Sequence, residues 1–184
     1  MTARIPPGNW RDVGVVNWLI AVVSGKVIGA PPPHLFLTLG RHRRLFRGWL
    51  RFAGRLMPGG TLSRRETELV ILRVALLRDC EYEYAHHVRL GRRAGLSDAE
   101  IHRLTEGPGN GWSDRERAVL SAVDQLCRTR DLDDESWTAL RGHLNKTECI
   151  ELCLLVGHYD MLATVIKALR IEPDPRATAI REQS

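Results

Sequence analysis

The sequence predicts an all-α fold, and three observations predict it. Apolar residues recur at helical spacing through the long segments, while strand-like alternation is nearly absent. Three segments open with a polar residue followed three positions later by Glu: Ser63 with Glu66, Ser113 with Glu116, and Asn145 with Glu148. In such a capping box each side chain satisfies an N–H group that the first helical turn leaves free. Clusters of Pro and Gly, "APPP" at Ala30 to Pro33 and "MPGG" at Met57 to Gly60, then separate the helical stretches.

The elements follow in chain order. "RIPPGN" is a flexible start. "VGVVNWLIAVV" is too short to span a bilayer and is interrupted by Asn17. It lacks the basic start and small-residue cleavage site of a signal sequence, so an amphipathic or buried helix is expected, with attachment to a membrane surface the minority reading. From about His34 to Leu56 the pattern is helical. Arg44, Arg47, Arg51 and Arg55 form one stripe, and Leu45, Trp49, Phe52 and Leu56 fall on the opposite side, so the stripe reads as a solvated basic face or, more sharply, as a surface that meets an anion or another subunit. Each capping box leads into an apolar run: "TELVILRVALL", "RAVLSAVDQL" and "CIELCLLVGHYDMLATVIKAL". "AGLSDAEIHRL" and "DDESWTALRGHL" add two short helices, and Trp112 is expected to staple the start of the helix after Ser113. The organisation expected is an N-terminal helical extension with a Pro-rich linker over 1–33, a helical domain over 34–172 and a polar tail over 173–184.

The chain has 184 residues, enough for one domain with a real core, and 43% hydrophobic against 27% charged residues is ordinary for a globular protein. A net charge of +5 permits an anionic partner without establishing one. No nucleic-acid reading motif accompanies the arginines, and no membrane partner is expected. The four cysteines, Cys80, Cys127, Cys149 and Cys153, include no CxxC pair and read as reduced cytoplasmic thiols. Cys149 and Cys153, four apart on an apolar helix, are expected to pack in the core. With His158 their spacing matches no common zinc pattern, so neither a metal nor an organic cofactor is expected.

The chemistry concentrates in "DCEYEYAHH", Asp79 to His87. With Asp79 as N-cap, a helix from Cys80 to about Ala94 stops at Gly95. At about 100° per residue, Cys80, Glu83, Tyr84 and His87 fall within one narrow arc, continued by Leu90, Gly91 and Ala94. The core side of this helix therefore carries a thiol, a carboxylate, a phenol and an imidazole. Such groups must satisfy each other or border a pocket. Glu68 is a second anomaly, a carboxylate beside Ile71, Leu72 and Ala75 in a helix apolar nearly all round, with Glu66 and Arg73 expected on an exposed far side. Buried, it can exchange protons near neutral pH. His158, Tyr159 and Asp160 lie in the last apolar helix, where they either reach the same pocket or pack.

These residues resemble a known family. "RRETELVILRVALLRDCEYEYAHHVRLGRRAGLSDAEI" is similar to the core segment of the carboxymuconolactone decarboxylase-like superfamily, which includes the alkylhydroperoxidase D group, and weaker similarity extends to "GHYDMLA". The signature is a Glu, eleven residues, a Cys, two residues, a second functional position, three residues and a His, here Glu68, Cys80, Glu83 and His87. The resemblance implies an alkylhydroperoxidase D-like helical bundle that self-associates as a dimer, trimer or hexamer, with the site near a subunit boundary. In the peroxidase branch both middle positions are Cys. The second attacks peroxide, the first closes a disulfide, and the Glu and His relay protons. Glu83 stands here where the peroxidatic Cys would be, so no CxxC disulfide can form. In the decarboxylase branch, which acts on a lactone of aromatic catabolism, the work is acid–base chemistry.

Three functions follow as expectations. The first is an acid–base enzyme, lyase-like, using Glu68, Cys80, Glu83 and His87 as catalytic residues and Tyr84 as a substrate contact, on a small and in the leading case carboxylated organic molecule. The second is a single-cysteine thiol peroxidase, an oxidoreductase of peroxiredoxin type, or a redox sensor, using Cys80. The third is a non-catalytic member whose polar cluster ties helices or subunits together.

Overall fold

The computed structural model describes residues 2–175; the end of the expected polar tail lies outside them. Every regular element among the described residues is a helix: α1 Trp10–Val13, α2 Val15–Ile28, α3 His34–Leu39, α4 Arg43–Leu56, α5 Arg64–Leu77, α6 Glu81–Arg93, α7 Asp98–Arg103, α8 Asp114–Thr129, α9 Asp134–Arg141 and α10 Lys146–Leu169. They fall into two compact units. One holds the chain up to Ala53 with the segment from Ile166; the other runs Gly54–Val165.

In the first unit Asn9 and Asp12 form a capping box for α1, and Gly14, at φ 83°, lets the chain turn directly into α2. Phe36 of α3 meets Phe46 and Trp49 of α4 edge-on, with ring centroids 5.5 and 5.6 Å away. The terminal segments of the unit are tied by Arg4, whose N–H donates to Leu169 O at 2.9 Å. Two expectations are corrected here. The inner side of α2 carries only Asn17, Ala21 and Gly25, while Val15, Val16, Leu19, Val23 and Val27 are exposed, so the helix is neither buried nor amphipathic in the usual sense. A Cβ on Gly25 would lie 2.6 Å from Pro31 O, so the close return of the chain admits only small residues on that side. In α4 Phe46 and Leu56 are buried, with Trp49 and Leu50 half-buried, whereas Leu45 and Phe52 are exposed. The apolar stripe of α4 is wider than the contact it makes.

In the second unit α5 is central. Ser63 and Glu66 form the expected capping box, and the run from Leu69 to Ala75 is buried, against α6 on one side and α8 on another. The boxes at Ser113–Glu116 and Asn145–Glu148 form as well. Trp112 enters the core with Leu69, Leu72, Leu96, Leu104 and Leu120, and its indole donates to Gly107 O at 3.2 Å. Because α5 is enclosed on all sides, Glu66 and Arg73 are buried rather than exposed. Each is matched. Arg73 makes a bidentate pair with Asp124 at 2.6 and 2.7 Å, and Glu66 accepts from Arg115 at 2.5 Å. Cys149 is buried, but Cys153 is exposed, because α10 turns only one face, including Leu152, Leu155, Val156 and Tyr159, to the core. Among the described residues α10 alone is long and apolar enough to cross a membrane, and that buried face is what a core helix of this length requires.

The α5–α6 turn sets up the site. Asp79 does not cap α6. It sits in the left-handed region at φ 48° and closes α5, with its N–H donating to Leu76 O at 3.1 Å and the Cys80 N–H to Ala75 O at 2.9 Å. This is the Schellman arrangement, in which a left-handed residue just past the helix lets its own N–H and that of the following residue reach back to the last carbonyls. Cys80 is therefore the N-cap, and α6 starts at Glu81.

Candidate functional site

The site is built from two neighbouring helices of the second unit. Gly91 on α6 lets them approach: a Cβ there would meet Leu96 at 3.0 Å and Leu72 at 3.3 Å, with Glu68 Cβ at 3.8 Å. One turn earlier, His87 consequently reaches across to α5. Its Nδ1 lies 2.7 Å from Glu68 Oε2. With Glu68 as a carboxylate its oxygen accepts, and Nδ1 is the donor. Nε2 is then the basic nitrogen, and it faces Glu83 Oε2 at 3.5 Å, one turn back on the same helix. The three side chains are nearly inaccessible: Glu68 0%, Glu83 4% and His87 5% exposed.

The charges are partly balanced. Arg64, one turn before Glu68 on α5, places its guanidinium 2.5 Å from Glu68 Oε1, an ion-pair contact without hydrogen-bond alignment. Glu83 has no such cation. Burial pushes its carboxyl up from the ordinary range, His87 and His86 pull it down, and Glu68 adds to the rise; burial prevails. Glu83 Oε1 is buried and has no hydrogen-bond partner among the described residues.

Of the residues singled out in the sequence, Glu68, Glu83 and His87 are thus brought into one cluster. Cys80 is buried at the start of α6, one turn ahead of Glu83, and its carbonyl accepts from the Tyr84 N–H at 3.0 Å. Tyr84 is half-buried and packs on the cluster of Leu69, Leu72 and Trp112. Tyr159 of α10 completes the surroundings of His87, standing edge-on to the imidazole with centroids 5.2 Å apart. Burial drives its phenol well above its usual range, and the Glu83 and Glu68 carboxylates push the same way. His158 packs edge-on against Tyr159, and burial lowers its imidazole to about 4. Asp160 points elsewhere, to Arg78 and Arg130. A lone Tyr in an apolar helix gave no signal by which to choose it over its neighbours; only the packing of α10 identifies it.

An imidazole flanked by two carboxylates, one of them shifted up by burial, can accept and return a proton within one cluster. The helical fold of the described residues is similar to that of AhpD-like proteins. A peroxidase-related protein from Ralstonia eutropha JMP134, an alkylhydroperoxidase AhpD core, superposes with a TM-score of 0.83 at 17% identity, over 95% of this chain and 94% of its own. An uncharacterized peroxidase-related protein from Silicibacter sp. TM1040 gives 0.78 at 17% identity, over 90% and 88%. The debrominase Bmp8, as a Cys-to-Ala variant in complex with 2,3,4-tribromopyrrole, gives 0.78 at 14% identity, over 100% and 98%. At such identities it is the fold that is shared. Within that fold, residues 43–125 match the Carboxymuconolactone decarboxylase family, a segment that contains Glu68, Cys80, Glu83 and His87. No curated protein matches the chain.

Proposed function

We propose that the protein is an acid–base enzyme acting on a small organic molecule, with carboxylated lactones the first class to test. The observation that carries this reading is the placement of the His87 imidazole between Glu68, at 2.7 Å, and Glu83, at 3.5 Å. Glu68 fixes the tautomer, so that Nε2 is the base. Glu83 is the acid, because burial keeps its proton to higher pH. Its Oε1 is left to bond a substrate group. Decarboxylation or isomerisation needs this pairing, one group to take a proton and one to return it. The family segment over residues 43–125 supports the reading.

A thiol route through Cys80 is the second reading. The likeness in fold to peroxidase-related proteins favours it. Cys80 is 3% exposed, as buried as Glu83 and His87, so access does not separate the two readings and turnover must.

The test is turnover of carboxylated lactones and, separately, of hydrogen peroxide. Loss of lactone turnover by about 100-fold or more in Glu68→Gln, Glu83→Gln and His87→Asn, with partial retention in Cys80→Ser, supports the acid–base reading. Peroxide consumption abolished by Cys80→Ser replaces it with the thiol reading. No turnover, with stability or assembly falling in the same variants, leaves a structural network. Self-association is proposed alongside, supported by the exposed Ile150, Leu154 and Met161 at helical spacing on α10, and is read from the mass in solution.

A further inference from the structure

We propose that the first unit docks on an anionic lipid bilayer surface, through the outer face of α2 and the arginines at the start of α4. α2 presents its large apolar side chains outward: Val15 and Val16 are 57% and 58% exposed, Leu19 49%, Val23 58% and Val27 71%. An apolar patch of this kind marks a partner of apolar character. The helix has 14 residues, so it is about 21 Å long and cannot cross a hydrocarbon core of about 30 Å. Too short to span, and with Val15, Val16, Leu19, Val23 and Val27 turned outward, it would lie along the interface, with the polar side of the contact supplied by the arginines of α4. Trp10 and Trp18, both exposed, suit the zone where headgroups meet acyl chains.

Charge selects the partner. Residues 2–53 contain eight Arg and Lys and a single acid, Asp12, a net +7, whereas the whole chain is +5 and the remainder therefore −2. The single acid is itself engaged, 3.3 Å from Arg41. The cations also adjoin the apolar face. Arg43 and Arg47 line one cleft of about 200 Å³ together with Val15 and Val16, and Arg43 is anchored there by donating to Arg11 O at 2.9 Å. Arg41 and Arg44 extend the basic edge. A second copy docked by this face would set +7 against +7. A nucleic acid would leave the valines in water. A bilayer with anionic headgroups accepts both the apolar face and the cations.

The experiment is flotation of the full chain with phosphatidylcholine vesicles and with vesicles holding about 30% phosphatidylserine, at low salt and at about 0.5 M salt. The expected result is association with the anionic vesicles, about tenfold or more weaker on the neutral ones, weaker at high salt, and accompanied by a blue shift of tryptophan emission. Leu19→Glu with Val23→Glu, and separately Arg44→Glu with Arg47→Glu, are each expected to reduce association about tenfold or more. Val27→Glu, at the most exposed position, serves if the double apolar variant loses its helical circular dichroism. Absence of association with anionic vesicles overturns the proposal, as does association that these variants leave unchanged. A fall in molecular mass on Leu19→Glu with Val23→Glu, without vesicle association in the parent chain, assigns the face to a second copy and overturns it equally.

Discussion

His87 Nδ1 lies 2.7 Å from Glu68 Oε2, a buried contact between α5 and α6 that joins two helices and sets the imidazole tautomer at once. The two roles separate by substitution. Glu68→Gln keeps the shape but replaces a charge-assisted bond by a neutral one, and leaves the Arg64 guanidinium without its carboxylate. The expected loss is about 1–3 kcal/mol of stability, read by urea unfolding. Under the acid–base reading, kcat on a turned-over substrate falls by a larger factor than this stability loss explains, at a temperature where the variant is fully folded.

Glu83 gives a prediction in pH. Its carboxyl is raised in the folded protein, chiefly by burial. A raised acid stabilises the fold fully below its unfolded pKa, near 4.5, and that contribution is lost as pH rises through the folded value. Glu83→Gln removes the titration. The stability difference between Glu83→Gln and the parent chain is therefore expected to shift in favour of the variant as pH rises above about 4.5, in paired urea titrations. A difference independent of pH would show that the Glu83 carboxyl is not raised in the folded protein.

Much of this was legible in the sequence, and the gaps have identifiable causes. The capping boxes at Ser63, Ser113 and Asn145 are local devices, so the sequence located three helix starts correctly. The arc holding Glu83 and His87, with Glu68 on the preceding helix, followed from helical periodicity, because all three lie on neighbouring helices of one hairpin. Asp79 misled because Asp favours both an N-cap and the left-handed region, and only the bonds to Leu76 and Ala75 decide between them. Glu66 and Arg73 were read as exposed because their partners Arg115 and Asp124 come from α8, about fifty positions away. Tyr159 and the outward valines of α2 depend likewise on packing between distant segments, which no local pattern reports.

Gly91 offers a test of the α5–α6 spacing itself. A Cβ at this position already meets Leu96 at 3.0 Å and Leu72 at 3.3 Å. Gly91→Val adds two further methyl groups against Leu72 and Glu68 and should push the helices apart. The expected cost is about 1–3 kcal/mol, as for overpacking elsewhere. Under the acid–base reading turnover should fall with it, because His87 lies one turn from Gly91. Gly91→Ala is expected to be milder, since the Leu96 side chain can shift by a few tenths of an ångström. Equal stability of the valine variant and the parent would show that the close approach is not required.

The second unit also carries a charge network whose pH dependence has the opposite sign. Arg65 pairs with Glu100 and, at 3.0 Å, with Glu116. The Arg65 guanidinium, together with Ser97, holds the Glu100 carboxyl down at about 2. Burial would raise Glu116, but bonds from Ser113 and Arg65 outweigh it and leave it lowered. Depressed carboxylates stabilise the fold above their unfolded pKa, and the contribution is lost as pH falls through the folded value. Between pH 4.5 and about 2 the melting temperature should therefore drop, and Arg65→Met should flatten the part of that drop due to Glu100 and Glu116. Because the pairs are partly exposed, the effect is modest and should shrink in high salt. Melting curves at pH 6, 4.5 and 3, with and without salt, read it directly. An identical pH slope in Arg65→Met and the parent would exclude the network as a source of acid sensitivity.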